Sequence, residues 1–365
     1  MSKDDKTISR QEESNHRESM MKKNLMEILV CPICKGEMKL KTKDKNKEDI
    51  VQGELVCRIC SKSYSISEGI PRLIDASLSG ENDKHQEICQ ANQVYHDMVA
   101  DYYEQDEALA GSHNQSNQKR IENVVKTISQ QSGDEWFLDL ACGTGNVLKF
   151  GQNCFKNAVG VDISVAMLRI AKQRGLEVIQ ADIVKLPFRD EVFNSASCFS
   201  VLHHLYDQEP FFEETYRVLG RNGILYTDWD PVARPRINEN SFKWRLFVTA
   251  KQIYKFLVKP LLGRRTDKKA GQLNYRQMNP ASYEMYKKAE YHLPSDGEGG
   301  DGIDFRKLKN RLLHLGYRQA DATFHWNGKK FCQLPVRERL NTRAMQLFGF
   351  LPKDFMENVQ MIIKK

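Results

Sequence analysis

No run of about 18 apolar residues occurs in the 365-residue chain, so no membrane-spanning helix is expected. The first 25 residues lack the apolar stretch of a secretory leader, and 1–24 read as a disordered polar tail. A disulfide framework is also missing. The nine cysteines are an odd number, and Cys89, Cys142, Cys154, Cys198 and Cys332 stand singly. That pattern favours a reducing cytoplasm. Nor is there a charge excess that demands a polyanion: the net charge of +7 permits an acidic partner without requiring one. Length and composition are those of a globular chain with room for two or three domains.

Four cysteines are paired. Cys31-Pro32-Ile33-Cys34 is followed, 22 residues later, by Cys57-Arg58-Ile59-Cys60. Each C-x-x-C places two thiols on one turn, and two such turns supply a tetrahedral zinc site. The separation slightly exceeds the usual 15–20 or so, which fits a longer hairpin through the charged stretch between them. A redox pair would need a thioredoxin-like setting, and two would be redundant. Four thiolates leave no open position, so the expected metal is structural.

The segment after the second pair, Ser61 to Asp75, carries Tyr64, Ile66, Gly69, Ile70 and Pro71, with Ser65 in place of a proline. In these positions it resembles the small zinc-ribbon proteins that partner tRNA and protein methyltransferases. The resemblance implies a docking or stabilising module over 25–77 and a protein partner through it.

The second informative stretch is WFLDLACGTGNVLKFGQ, Trp136 to Gln152: an apolar run, a small-residue turn and a helix-compatible segment. This is the strand–loop–helix entry of a Rossmann-like domain. The turn lacks the Gly-Lys-Ser/Thr of a phosphate loop, and Leu148 stands where a dinucleotide loop has its third glycine. What remains is Asp-x-x-x-Gly-x-Gly, which resembles motif I of class I S-adenosylmethionine-dependent methyltransferases. A second apolar strand ends in Asp162, and a third in Asp182 followed by Leu186-Pro187-Phe188. The latter is similar to the ubiquinone-methyltransferase-like branch. Then come a fourth strand, a helix, a glycine turn at 220–223 and a fifth strand.

The resemblance implies an α/β fold: a seven-stranded Rossmann-like class I methyltransferase core with an N-terminal zinc ribbon. It implies that Gly143 and Gly145 let the backbone approach the cofactor's methionine part while Asp139 orients its amino group. Asp162 would accept the ribose hydroxyls, Asp182 would meet the adenine amino group, and Ile183 would pack on the ring. Ala141, Ile163, Met167 and Ser200 are assigned to the same surroundings. Tyr95 and Tyr103, in a segment like the helix and aromatic pair that cover the cofactor, would line the entrance.

Methyl transfer needs a nucleophile in line with the donor, and a base only when the acceptor is slow to lose its proton. His203 and His204 follow the fourth strand, where ligands bind in open α/β sheets, and are the candidate catalytic residues. The same histidine pair also occurs in family members where one ring simply packs beside the cofactor. Cys142 and Cys198 read as core.

Residues 242–270 hold nine Lys or Arg against one Asp, net +8, with Trp244, Phe247, Ile253 and Phe256 at helical intervals. Three readings stand side by side: a lid helix with a solvated basic face, an anionic membrane surface, or a grip on RNA phosphates. Glu290, Tyr291 and His292 form a polar cluster for the acceptor pocket or for bracing. Ala322–Gly328 reads as a late strand, and 335–365 as a terminal helix or packing arm. The order of ribbon and core is also similar to ribosomal RNA guanine-N1 methyltransferases, whose last zinc ligand is commonly His where Cys60 stands here. The expected domains are thus the tail, the ribbon, a covering connector (78–118), the core (119–230), a basic insert (231–305) and a closing segment (306–365) whose helix and strands complete the sheet. The expected acceptor is a small molecule or lipid, with RNA the alternative and an inactive cofactor-binding scaffold the second. The chain is placed in the cytoplasm, with peripheral membrane contact in view.

Overall fold

The computed structural model describes residues 21–42, 49–74, 84–105, 115–232, 302–325 and 358–365. The tail, the basic stretch 242–270 and the Glu290–His292 cluster lie outside the described residues.

The chain begins with β1 (Met21–Lys22) and α1 (Lys23–Ile28). The strands β2 (Met38–Lys41), β3 (Asp49–Ile50), β4 (Gly53–Cys57), β5 (Ser63–Ser67) and β6 (Ile70–Pro71) follow. β2, β4, β5 and β6 form an antiparallel sheet in that order, and β1 pairs with β3. Alternation in β5 buries Tyr64 and Ile66 and exposes Ser63 and Ser65. Its turn to β6 is a two-residue hairpin, with Glu68 (φ 57°) and Gly69 (φ 69°) both left-handed.

Next come α2 (Lys84–Val99), a 3-10 turn over Ala100–Gln105 and α3 (Gln115–Ser132). The core then alternates strand and helix: β7 (Trp136–Leu140), α4 (Leu148–Cys154), β8 (Asn157–Asp162), α5 (Val165–Gln173), β9 (Val178–Gln180), β10 (Phe193–Phe199), α6 (Glu209–Val218) and β11 (Leu219–Pro231). It closes with α7 (Phe305–His314), β12 (Gln319–His325) and β13 (Asn358–Lys364). The helix starts follow local chemistry. Ser164 caps α5 by accepting from the Met167 N–H, and Asp304 caps α7 by accepting from Arg306 and Lys307.

The seven strands lie in the order β12-β13-β11-β10-β7-β8-β9. The run from β11 to β9 is parallel, whereas β13 is antiparallel to both its neighbours. Strands covered on both faces are buried along their length, as in β7, where Phe137, Leu138 and Leu140 are fully buried and Asp139 is the one buried carboxylate. The expected α/β class, with seven strands and an N-terminal ribbon, is borne out.

Two local readings change. The 220–223 turn is not a break between helix and strand but lies inside β11. Pairing jumps from Phe193↔Leu219 to Ser195↔Ile224, so the glycines form a bulge that re-aims the strand. Of 335–365, only 358–365 lie within the described residues, and these are strand: β13 fills the gap between β11 and β12, and Val359, Met361 and Ile363 are fully buried there.

The ribbon is built onto the β9 edge of the core. Arg72 bridges Gln180, the Leu73 N–H donates to the Gln180 carbonyl, and Leu29 bridges Phe188. Leu25, Leu29, Tyr64 and Leu73 join Val159, Ile179 and Phe188 in one continuous apolar cluster. Beside it, the Lys35 ammonium lies 2.9 Å from Glu214. An edge of unpaired backbone groups is thereby covered from within the chain.

Candidate functional site

The four paired cysteines converge. Cys31 and Cys60 sulfurs are 3.7 Å apart, and Cys34 and Cys57 sulfurs 3.4 Å apart. A zinc ion bound at about 2.3 Å sets sulfur–sulfur edges near 3.8 Å, so the donor set and spacing fit that metal. Each knuckle turns through a left-handed residue directly after its second cysteine, Lys35 (φ 55°) and Ser61 (φ 60°). Burial opposes ionisation of Cys57, but N–H donors from Cys60 and Ile59 outweigh it and its pKa falls to about 7.

A cavity of about 260 Å³ opens at the carboxyl ends of β7, β8, β9 and β10. Of the predicted cofactor residues, Ala141, Gly143, Asp162, Ile163, Met167, Asp182, Ile183 and Ser200 line it from the sheet side. Tyr95 and Tyr103 line it from α2 and the turn that follows. The strand ends are held in unusual backbone: Ala141 (φ 53°), Gly143 (φ 52°) and Ser200 (φ 61°) are all left-handed. Asp162 is buried and accepts from the Gly143 N–H at 2.8 Å and the Ser164 N–H at 2.8 Å, which fixes its carboxylate beneath the glycine turn.

Asp139 and Gly145 do not line the cavity. Asp139 is buried, accepts from Ser197 at 2.5 Å, and is pushed up to about 7 chiefly by burial. A Cβ on Gly145 would fall 2.1 Å from the Leu176 side chain, so this glycine is required by helix packing. A Cβ on Gly143 would meet nothing within 4 Å. Only Gly143 keeps the cavity wall bare.

The covering segment is tied down at two points besides its apolar face. Asp97 accepts from the Ser164 hydroxyl at 2.6 Å and from the Ala166 N–H at 3.0 Å. Glu104 accepts from the Thr144 hydroxyl at 2.6 Å and from Arg174. Between these latches His96 packs edge-on to Tyr95 and Tyr103, and burial depresses its pKa.

On the opposite wall, His203 and His204 both line the cavity, their rings 4.1 Å apart. His203 Nδ1 lies 2.8 Å from the fully buried carboxylate of Asp230, on β11. Burial pushes Asp230 up to about 8. Asp228 is also buried, but it serves the scaffold, paired to Arg120 of α3 and to Tyr226. Cys142 and Cys198 are buried, as expected of core thiols, and burial raises both.

Residues 138–227 match the family model described as a methyltransferase domain, and residues 22–69 match that of Trm112p-like proteins. The central segment is a methyltransferase domain. The methyltransferase domain has curated relatives that differ in substrate. The tRNA (carboxymethyluridine(34)-5-O)-methyltransferase of Arabidopsis thaliana is 38% identical over 96 residues, 25% of this chain and 23% of that one. The demethylmenaquinone methyltransferase of Lactobacillus johnsonii is 30% identical over 149 residues, 36% of this chain and 60% of that one. This chain thus spans less than two thirds of either relative. A solved structure, Haemonchus contortus phosphoethanolamine N-methyltransferase 2 in complex with S-adenosyl-L-methionine, is similar at 14% identity and a TM-score of 0.40, over 69% of this chain and 57% of that one.

The cofactor of such a domain is S-adenosylmethionine, and the cavity suits it on its own terms. Gly143 leaves open space at the wall, and the carboxylates of Asp162 and Asp182 stand at successive strand ends. Sequence reasoning missed His85, Cys89 and His96, which α2 brings to the cavity, and the link from Asp230 to His203. The helical spacing of His85 and Cys89 was legible, but nothing local announced their partner Asp182, 97 residues away.

Proposed function

We propose that this protein transfers a methyl group from S-adenosylmethionine to a small-molecule or lipid-like acceptor whose nucleophile must first lose a proton. The observation that carries this reading is the His203–Asp230 pair on the cavity wall. S-adenosylmethionine, when bound, supplies a methyl group on a sulfonium, so the protein's task is largely alignment. Asp162 and Asp182 would hold its polar groups, and the Tyr95–Tyr103 cover excludes water.

His203 is anchored through Nδ1, so its proton exchange with an acceptor runs through Nε2. When Asp230 ionises, its carboxylate accepts from Nδ1–H, which fixes that tautomer and raises the basicity of Nε2. A base of this kind serves a hydroxyl, a protonated amine or an acidic ring carbon. The quinone substrate in the name of the L. johnsonii relative supports a small acceptor.

RNA is the second reading, favoured by the tRNA methyltransferase relative. Transfer of labelled methyl groups to fractionated cell extract separates the two. Label in the small-molecule or lipid fraction is expected, and label confined to RNA would overturn the first reading. Loss of affinity with rising salt would mark an RNA substrate.

A further inference from the structure

We propose that His85, Cys89 and Asp182 form a second, exchangeable zinc site at the cavity mouth, and that metal and cofactor exclude one another there. His85 Nε2 lies 2.7 Å from Asp182 Oδ2, and the Cys89 sulfur lies 3.3 Å from the same nitrogen. All three donor atoms fall within 4.8 Å of one another. Among the described residues, this trio and the four ribbon cysteines are the two groups of three or more metal-type donors brought so close.

His85 and Cys89 are one helical turn apart on α2 and share a face. Asp182 reaches them from the loop after β9. A tetrahedral zinc, bonded at about 2.0 Å to nitrogen or oxygen and about 2.3 Å to sulfur, spaces nitrogen from oxygen by roughly 3.3 Å and nitrogen from sulfur by roughly 3.5 Å. The sulfur–nitrogen distance is therefore short by about 0.2 Å and the nitrogen–oxygen distance by about 0.6 Å, and both open slightly when the ion enters. Imidazole, thiolate and carboxylate are all zinc donors, and three of them leave the fourth position open.

The site is neither sealed nor exposed: the His85 and Asp182 side chains are 21% and 22% accessible, so an ion can enter and leave. The ribbon site, with four thiolates and no open position, is its opposite. Exclusion follows from Asp182. The proposal rests on the reading that the cofactor occupies this cavity, with Asp182 as an adenine contact. A carboxylate committed to a metal is withdrawn from that contact, and the metal ties α2 to the strand end over an empty cavity.

The test uses the full chain with its ribbon loaded, dialysed to equilibrium against micromolar zinc, with bound metal counted as the excess of the protein compartment over the dialysate. Two zinc ions per chain are expected for the wild type, and one for Cys89→Ser and His85→Ala. The retained ribbon zinc reports that each variant folds. One zinc in the wild type, or two in all three proteins, would overturn the site. In calorimetric titration with S-adenosylhomocysteine, added zinc should weaken binding at least tenfold in the wild type. In Cys89→Ser it should leave that variant's own affinity unchanged. Equal affinity with and without zinc in the wild type would overturn the exclusion. Titration without added zinc tests the cofactor reading separately, since its failure there leaves the metal count standing.

Discussion

The backbone N–H of Leu73 donates to the carbonyl of Gln180 at 2.7 Å. Gln180 in turn donates its side-chain amide to the Ile163 carbonyl at 2.9 Å, and Ile163 lines the cofactor cavity. Two hydrogen bonds therefore link the zinc ribbon to the cavity wall. Removing the metal, or replacing Cys57 by Ser, unfolds a module that shares the core's apolar cluster. We expect the melting temperature to fall by roughly 10 °C, as a loss of several kcal/mol requires in a chain of this size. Cofactor affinity should weaken about tenfold, or 1.4 kcal/mol. Scanning fluorimetry and calorimetry check both, and a ribbon-free core that binds cofactor normally would refute the link.

Asp230 gives the reaction a pH signature. Its carboxyl is held up to about 8, mainly by burial, so it carries a proton at pH 7 and loses it as the pH rises. The ionised form is the one that accepts from Nδ1–H of His203. The turnover number should accordingly climb through about pH 8 and level off above it. Asp230→Asn should lower kcat by roughly 10² to 10⁴ and abolish that rise, with cofactor affinity little changed. A flat wild-type profile would remove His203 from proton transfer.

The two glycines of the loop should fail in different ways. Gly145→Ala places a methyl 2.1 Å from Leu176 Cδ1, at φ +86°. Overpacking and left-handed strain together should cost about 2 to 4 kcal/mol of stability. Gly143→Ala meets open space and should lose only about 1 kcal/mol to its backbone conformation. Its methyl enters the cavity instead, so the larger effect should fall on cofactor binding. Denaturant unfolding and cofactor titration of both variants make the contrast measurable.

Glu104→Gln weakens a latch. The carboxylate receives the Thr144 hydroxyl and the Arg174 guanidinium, and so pins the cover to the glycine loop. Charge-assisted hydrogen bonds contribute about 1.5 to 3 kcal/mol, and an amide keeps only part of that. We expect cofactor release to accelerate several-fold in stopped-flow measurements, with global stability nearly unchanged.

Local chemistry made the sheet's spine legible. Asp139, Gly143, Asp162 and Asp182 stand where apolar strands stop, and a strand's end needs no distant partner to be read. The same locality hid the rest. β13 is an alternating segment with no glycine or charge signature of its own, and its place between β11 and β12 follows from pairing across some 130 residues of sequence. The bulge at Gly220 and Gly223 looked like an ordinary turn because strand continuity is decided by the neighbour β10. Gly145 carried the sequence mark of a cofactor contact, yet its constraint comes from Leu176 on another element. Asp230 sits on β11, the core's fifth strand, and its role depends on where the loop after β10 returns His203.

The ribbon's seat on β9 also fixes an order of events at the ribosome. About a hundred residues separate Leu73 from the Gln180 that it pairs with, a delay of roughly 5 to 20 seconds of synthesis. Through that interval the ribbon has no sheet to lean on, and only its own small core and its four thiolates can keep it folded. A ribbon that folds within that interval must therefore do so through metal capture before it docks, and a nascent chain short of zinc would meet its emerging β9 edge with nothing built to cover it.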